Sequence, residues 1–180
     1  MFSLLNFSID EEADSFSLAR RALVFVEGTH KDSMGRTHVF DLQRIKKFVD
    51  NTNNFLLQGG RLPFQLDHKK TQEFNIGDVE GELYIKTISE DDLPNKAYRH
   101  LVGKAGVFVD QIIGKGADTV QKIKDGLIKT LSPGLDPMTE SFIEISATRT
   151  PAIIGPALFS KEGDELANLI LFEETPLSPN

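Results

Sequence analysis

Short apolar runs separated by turn residues predict a chain built mainly from β-strands. Runs rich in β-branched and aromatic residues predict strands at residues 20–27 and 105–113. Alternating apolar and polar residues predict strands at residues 64–68 and 141–148. Residues 76–88 predict one or two further strands, interrupted by glycines. Because strands outnumber helices but both are present, the pattern favours the α+β class.

Two stretches have the period of amphipathic helices. Apolar residues at helical spacing after Asp41 predict a helix that ends near Asn51, with Asp41 as its cap. A second, short helix is predicted at residues 118–126, where Asp118 and Gln121 stand in the positions of a capping box.

Turn residues predict how these elements are joined. Residues 29–36 and 51–63 have the composition of a turn and a connection, and a short helix is predicted at residues 95–102. The chain extends again after residue 127, which would place Ser132 at a strand end beside Pro133.

The length of 180 residues fits one domain. We divide the chain into an N-terminal extension at residues 1–19, a main domain at residues 20–160, and a C-terminal helix and tail at residues 161–180. The apolar start of the chain has no Lys or Arg before its acidic run, and no stretch approaches the roughly 18 apolar residues of a membrane span. We therefore expect a soluble protein used inside a cell.

Composition excludes several kinds of chemistry. The chain has no Cys, so disulfide scaffolds, thiolate zinc sites and cysteine nucleophiles are excluded. With 20 Lys and Arg against 27 Asp and Glu, the net charge is −7, which disfavours a broad nucleic-acid surface. The common nucleotide, zinc-protease, hydrolase and calcium motifs are absent, and the 4 His residues lack helical metal-site spacing. We therefore expect neither a metal nor an organic cofactor.

One pair of residues could support nucleophilic catalysis. His68 and Ser132 each lie at a predicted strand end, and a general base must come within roughly 2.6–3.2 Å of the serine Oγ to take its proton. The alternative interpretation of Ser132, which precedes Pro133 and Gly134, is a turn serine whose hydroxyl binds a nearby backbone group.

Four segments carry a resemblance in their order along the chain. They are residues 63–68 (PFQLDH), the glycine-containing residues 76–81, residues 126–134 (GLIKTLSPG) and residues 143–152 (IEISATRTPA). This ordered set resembles the tailed-phage prohead (capsid maturation) proteases, the phage relatives of herpesvirus assemblin, over about residues 20–159. The resemblance implies a serine endopeptidase on a mainly antiparallel, closed or nearly closed β-barrel flanked by short helices.

The resemblance also assigns roles to individual residues. Ser132 is implied as the nucleophile and His68 as its general base. Pro133 has no backbone N–H, so the residue after the nucleophile cannot donate to an oxyanion. Arg149 is the nearest cation in the segment that the resemblance indicates for that role; a surface ion pair is its alternative interpretation.

The third catalytic residue is not fixed by the resemblance. In the herpesvirus branch it is a second His after the Ser, but this chain has no His after His100. An acidic residue would then orient His68. Glu144 is the first choice and Glu140 the second, whereas Asp67 adjoins His68 and would point to the opposite face of its strand. Glu144 could also be a solvated charge on the outer face.

The function implied is cleavage of scaffolding protein and of capsid-protein extensions inside the procapsid, in the host cytoplasm. The expected partners are the scaffolding protein, the major capsid protein and other copies of this chain as a homo-oligomer; neither nucleic acid nor a membrane is expected. The alternative is a catalytically inactive structural virion protein, capsid-decorating or tail-associated, on the same fold, because fold does not fix function. A cellular hydrolase unrelated to phage is a further alternative.

Overall fold

A computed structural model describes residues 7–32, 34–66, 75–93, 96–128, 130–148 and 170–171. No helix in these ranges is long and apolar enough to cross a membrane. The helices are α1 (Leu42–Leu57) and α2 (Ala117–Lys124), with 3₁₀ turns at Glu90–Asp92 and Lys96–Leu101. The strands are β1 (Phe7–Asp10), β2 (Ser15–Leu18), β3 (Ala22–Val26), β4 (Gly28–Lys31), β5 (Thr37–Phe40), β6 (Leu62–Leu66), β7 (Asn75–Glu80), β8 (Tyr84–Thr87), β9 (Ala105–Val109), β10 (Gln111–Lys115), β11 (Thr130–Asp136), β12 (Ser141–Thr148) and β13 (Ile170–Leu171).

Within the described residues, the strands form three sheets. The largest has eight strands in the order β1-β2-β10-β7-β6-β12-β11-β13, the second has the order β3-β9-β8, and β4 pairs with β5. All pairings are antiparallel except that of β6 with β12. The predicted α+β class and the mainly antiparallel pairing are therefore confirmed.

The closed barrel implied by the resemblance is not found. Within the described ranges the eight-stranded sheet begins at β1 and ends at β13, and none of the three sheets closes on itself. Alternation along a sequence identifies strands and their faces, but it does not determine which strands pair at the edges of a sheet.

Helix α1 packs against β12 and is longer than predicted. The side chain of Asp41 caps it by accepting a hydrogen bond from the Arg44 N–H at 2.8 Å, as the sequence indicated. The helix does not end near Asn51, because polar residues that suggested a connection bind neighbouring elements. The amide of Asn53 donates to the Leu83 carbonyl at 2.8 Å and accepts from the Leu83 N–H at 2.9 Å.

Thr52 joins α1 to the beginning of β12. Its side chain is fully buried, and its hydroxyl donates to the Phe48 carbonyl at 2.7 Å and accepts from the Phe142 N–H at 2.8 Å. Phe142 and Phe108 are core residues. The contact through Thr52 holds one end of β12 in place against the helix.

The predicted turn at residues 29–36 contains strand residues. Strands β4 and β5 form a hairpin in which His30 pairs with His38. The turn itself is held by the buried carboxylate of Asp32, which accepts hydrogen bonds from the backbone N–H groups of Met34 and Arg36, both at 2.9 Å. Asp32 and Gly35 therefore lie in a turn, as predicted, but the turn is shorter than residues 29–36 because both of its ends belong to strands.

Two other predictions about element boundaries are wrong. The single strand predicted at residues 105–113 is two strands in different sheets, because the chain turns at Asp110 between β9 and β10. The capping box at Asp118 does not form, since the N-cap of α2 is Gly116 with a φ of 135° and no side-chain cap.

The ends of the chain contribute strands to the main sheet. Residues 7–18, which the sequence assigned to an extension, form the β1–β2 hairpin, and β2 pairs with β10. Residues 170–171 form strand β13 beside β11, whereas the sequence predicted a terminal helix there. The rest of residues 161–180 lies outside the described residues.

An ion-pair cluster connects the three-stranded sheet to the 3₁₀ turn at Glu90–Asp92. The carboxylate of Asp92 has no exposed surface and binds Arg21 at 2.7 Å and Lys86 at 2.6 Å. Burial alone would raise the pKa of Asp92, but the hydrogen bonds from Lys86, Ser89 and Arg21 together lower this pKa to about 2.

Candidate functional site

Neighbouring central strands bring four polar residues to one face of the main sheet. Ser132 in β11 pairs with Ser146 in β12, and Ser146 pairs with Gln65 in the parallel strand β6. Glu144 precedes Ser146 by two residues and pairs with Gly134. Because paired residues of adjacent strands face the same side, Gln65, Ser146 and Ser132 form one row across three strands, which we call the polar row.

The polar row and Glu144 are buried. Ser132 is 2% exposed, Ser146 0%, Glu144 4% and Gln65 7%. The flanking registers, which point to the other face, are apolar in all three strands: Phe64, Ile145 and Pro133 on one side, and Leu66, Ala147 and Leu131 on the other. Glu144 is therefore not a solvated charge on the outer face, which was its alternative interpretation.

The carboxylate of Glu144 is held by Ser146. The Ser146 hydroxyl donates to Glu144 Oε1 at 2.9 Å, and Oε2 lies 3.4 Å away. Gly134 provides the space for this carboxylate, since a Cβ at residue 134 would lie 2.9 Å from both Cδ and Oε2 of Glu144. The absence of a side chain at Gly134 thus allows a carboxylate to lie against the backbone of β11.

Ser132 lies inside a strand and not at the end of one. It is the third residue of β11, and Pro133 and Gly134 continue the same strand. The alternative of a turn serine is therefore wrong, because no turn occurs at this position. Sequence patterns suggested a turn because Pro and Gly follow Ser132 directly, yet both are paired with β12.

Glu140 is separated from Ser132. It lies in the turn between β11 and β12 with a φ of 51°, and its carboxylate forms an ion pair with Lys47 at 2.9 Å. Ser146 follows Glu140 by six residues, which corresponds to about 20 Å at the usual rise of a strand. Of the two acidic residues considered for the third catalytic position, only Glu144 lies beside Ser132.

The other predicted site residues lie outside the described residues. These are His68, Asp67 and Arg149, together with the Lys69–Lys70 pair that was not assigned a role. Strand β6 is described as far as Leu66, two residues before His68 in the sequence.

Gln65 belongs to the polar row but was not identified from the sequence. Its Oε1 is buried and has no hydrogen-bond partner within the described part of the chain. The only signal in the sequence was a polar residue between Phe64 and Leu66 in an apolar strand, which the alternating pattern explained as an outward-facing side chain.

Of the three histidines in the described ranges, His100 is exposed, whereas His30 and His38 have structural contacts. His30 Nε2 donates to the Val26 carbonyl at 2.7 Å, and burial lowers the pKa of His30. His38 Nε2 lies 2.8 Å from the Asp32 carboxylate. In the ranges that the structure describes, no three His, Asp or Glu side chains are grouped to hold a metal ion.

An open groove of about 620 Å³ lies at a different part of the main sheet. It runs over β1, β2, β10 and β7, and its lining includes Arg61, Asp78 and Lys115 but no residue of the polar row. The groove and the buried polar residues are therefore separate features.

Comparison with known proteins gives no relative: no protein-family model, no curated protein and no solved structure matches this chain.

Proposed function

We propose that this chain is a serine endopeptidase of the capsid-maturation type, with Ser132 as nucleophile, His68 as general base and Glu144 as the acidic residue of the site. The observation that carries the proposal is the buried polar row, which places Ser132 directly opposite Ser146 and beside Glu144. The resemblance of the four ordered segments supports the assignment to this class.

The buried groups of the site carry an energetic cost. A buried carboxylate and buried hydroxyls are unfavourable unless they are well hydrogen-bonded, and apolar residues of similar size are often at least as stable in their place. The chain nevertheless has Ser132, Ser146 and Glu144 where the adjacent registers of the same strands are apolar. Proteins depart from an apolar interior in this way mainly at functional or strained sites.

Chain connectivity supports His68 as the base. Leu66 pairs with Ala147, the neighbour of Ser146, and His68 follows Leu66 by two residues. Two residues of chain span at most about 7 Å, and β11 lies two strand spacings, or about 10 Å, from β6. The sequence position of His68 is therefore compatible with its role as the base for a serine on β11.

The proposed chemistry follows the general logic of serine proteases. His68 takes the proton of Ser132 Oγ as it attacks the peptide carbonyl, and then gives that proton to the leaving amine. Glu144, fixed by the Ser146 hydroxyl, stabilises the imidazolium that forms between these steps. Because Pro133 cannot donate an N–H, the oxyanion requires another donor, and we propose Arg149 for this role.

The proposed substrates are the scaffolding protein and the extensions of the major capsid protein, cleaved inside the procapsid in the host cytoplasm. The proposal includes contacts between copies of this chain, since self-cleavage is expected of such a protease. It includes no metal, organic cofactor, nucleic acid or membrane as a partner.

The test is cleavage of co-expressed scaffold and capsid protein by variants of this chain, followed by gel electrophoresis and mass spectrometry. Ser132→Ala and His68→Ala should each abolish cleavage, because loss of such a residue typically lowers the rate by about 10⁴-fold. Ser141→Ala is the matched control, since the half-buried Ser141 hydroxyl contacts only Thr139 in the described structure. Cleavage retained by Ser132→Ala would overturn the proposal.

A second candidate is a catalytically inactive structural virion protein. The observation that favours it is the burial of Ser132, whose 2% exposure leaves no open path to a substrate unless the site opens. Copy number distinguishes the two functions: a protease is scarce in mature particles, whereas a capsid-decorating protein occurs in a fixed ratio to the capsid subunit. Quantitative mass spectrometry of purified particles measures this ratio.

A further inference from the structure

Gln65 has an unsatisfied hydrogen-bond acceptor at one end of the polar row. Its side chain is more than nine-tenths buried, and its Oε1 has no donor among the residues that the structure describes. Buried polar atoms in proteins are almost always hydrogen-bonded, so an exception needs an explanation. A donor that arrives with a bound ligand is one such explanation.

The position of Gln65 relative to Ser132 defines what that ligand could be. The two residues are in the same row, separated by the strand that contains Ser146. Two strand spacings correspond to about 10 Å, and an extended peptide advances about 3.3 Å per residue. A polypeptide with its scissile carbonyl at Ser132 would therefore pass Gln65 within about three residues of the cleaved bond.

Resting on the proposed function, we propose that Gln65 binds the backbone of the polypeptide substrate through its Oε1. The donor is a peptide N–H of a residue within about three positions of the scissile bond. Such a contact fixes the position of the peptide without selecting a side chain, since every residue except proline has this donor.

The first test separates this role from a structural one by protein stability. Gln65→Met keeps the side-chain volume and removes the unsatisfied oxygen together with the amide NH2, so the denaturation midpoint should fall less than in a variant that loses a satisfied buried acceptor. Gln111→Met is the matched control: Gln111 Oε1 accepts from the Leu18 N–H at 3.1 Å, and its loss should lower the midpoint. A comparable fall in Gln65→Met would show a structural partner, such as a bound water, and would overturn the proposal.

The second test measures the contact itself with defined peptides. The probe is the peptide that the wild type cleaves fastest in a proteome-derived library, together with analogues in which one amide N–H at a time is replaced by an ester oxygen. For the wild type, one of these esters should lower kcat/KM about tenfold. Gln65→Met should lower kcat/KM about tenfold for the all-amide peptide and should show no further loss with that ester.

The outcomes distinguish failure of this inference from failure of the proposed function. If the wild type cleaves no peptide and Ser132 is not labelled by a fluorophosphonate, both are overturned. If the wild type cleaves but Gln65→Met cleaves equally well, or stays sensitive to the same ester, only the role of Gln65 is overturned. A parallel loss of fluorophosphonate labelling in Gln65→Met would place its effect on the nucleophile and would also overturn the substrate contact.

Discussion

Replacement of Ser146 by Ala tests whether the Glu144 carboxylate depends on the hydrogen bond that the structure shows. The substitution removes the hydroxyl that donates to Glu144 Oε1 at 2.9 Å, at a position with no exposed surface. Solvent is therefore poorly placed to replace the lost donor. The carboxylate stays buried with one hydrogen bond fewer.

The size of the effect follows from the charge on the acceptor. A hydrogen bond to a charged group contributes about 1.5–3 kcal/mol, so Ser146→Ala should lower the free energy of unfolding by that amount. For a chain of this length, 1 kcal/mol corresponds to about 2–4 °C in Tm. The expected decrease in Tm is thus roughly 3–12 °C.

Thermal and denaturant unfolding, followed by circular dichroism, measure this effect. Ser141→Ala on the same strand is the control and should change the free energy of unfolding by less than about 0.5 kcal/mol. A double-mutant cycle of Ser146→Ala with Glu144→Gln should give a coupling energy of at least about 1 kcal/mol. If Ser146→Ala is as stable as the wild type, or if the cycle shows no coupling, the reasoning about this carboxylate is refuted.

Three further changes test other parts of the structure. Gly134→Ala should displace the Glu144 carboxylate, because the new Cβ would lie 2.9 Å from its Cδ; it should lower stability by about 1–3 kcal/mol and abolish cleavage. Thr52→Val should lower the free energy of unfolding by about 1–3 kcal/mol, since it leaves the buried Phe142 N–H without its acceptor. Asp92→Asn should lower the free energy of unfolding by about 2 kcal/mol at pH 7, because the lowered pKa of Asp92 stabilises the fold only while the carboxylate is ionised. In the wild type this stabilisation is lost as the pH falls from about 4 to about 2, and the variant should not show that loss.

Each of these changes has a measurement that can contradict it. Gly106→Ala is the control for Gly134→Ala: its Cβ would lie 2.6 Å from Leu23 Cδ1, so it should destabilise the protein without affecting cleavage. Equal loss of cleavage in both glycine variants would show a general effect of overpacking. Urea denaturation at pH 7 measures the Thr52 variant, and a wild-type midpoint would contradict the role of Thr52. Acid titration of the Asp92 variant should give a flatter curve than the wild type, and identical curves would contradict the ion-pair argument.

Much of the fold could be predicted from the sequence because the local signals were strong. Strand β12 has the predicted bounds, since alternation over eight residues has no competing interpretation. The cap at Asp41 was also predictable, because capping depends on the residue itself and on its neighbours three positions on. The pairing of strands was not, since it depends on contacts between distant parts of the chain. The same limit explains why α1 was predicted too short: Asn53 stays in the helix because it binds the distant Leu83.

The candidate site was partly predictable for the same reason. Sequence reasoning identified Ser132 and Glu144, and the structure places them on adjacent strands near each other. It did not identify Gln65 or Ser146, because a polar residue in an alternating strand is ordinarily explained by exposure to solvent. Both residues are buried because the face on which they lie is covered in the folded protein.

The central claim is that an imidazole activates a serine hydroxyl in this protein, and covalent labelling tests it most directly. The protein is treated with a fluorophosphonate, digested, and the modified residue is located by mass spectrometry. The account predicts one modified serine, Ser132, and loss of this modification in His68→Ala with the fold intact by circular dichroism. Labelling that is absent from the wild type, occurs at another serine, or is undiminished in His68→Ala would contradict it.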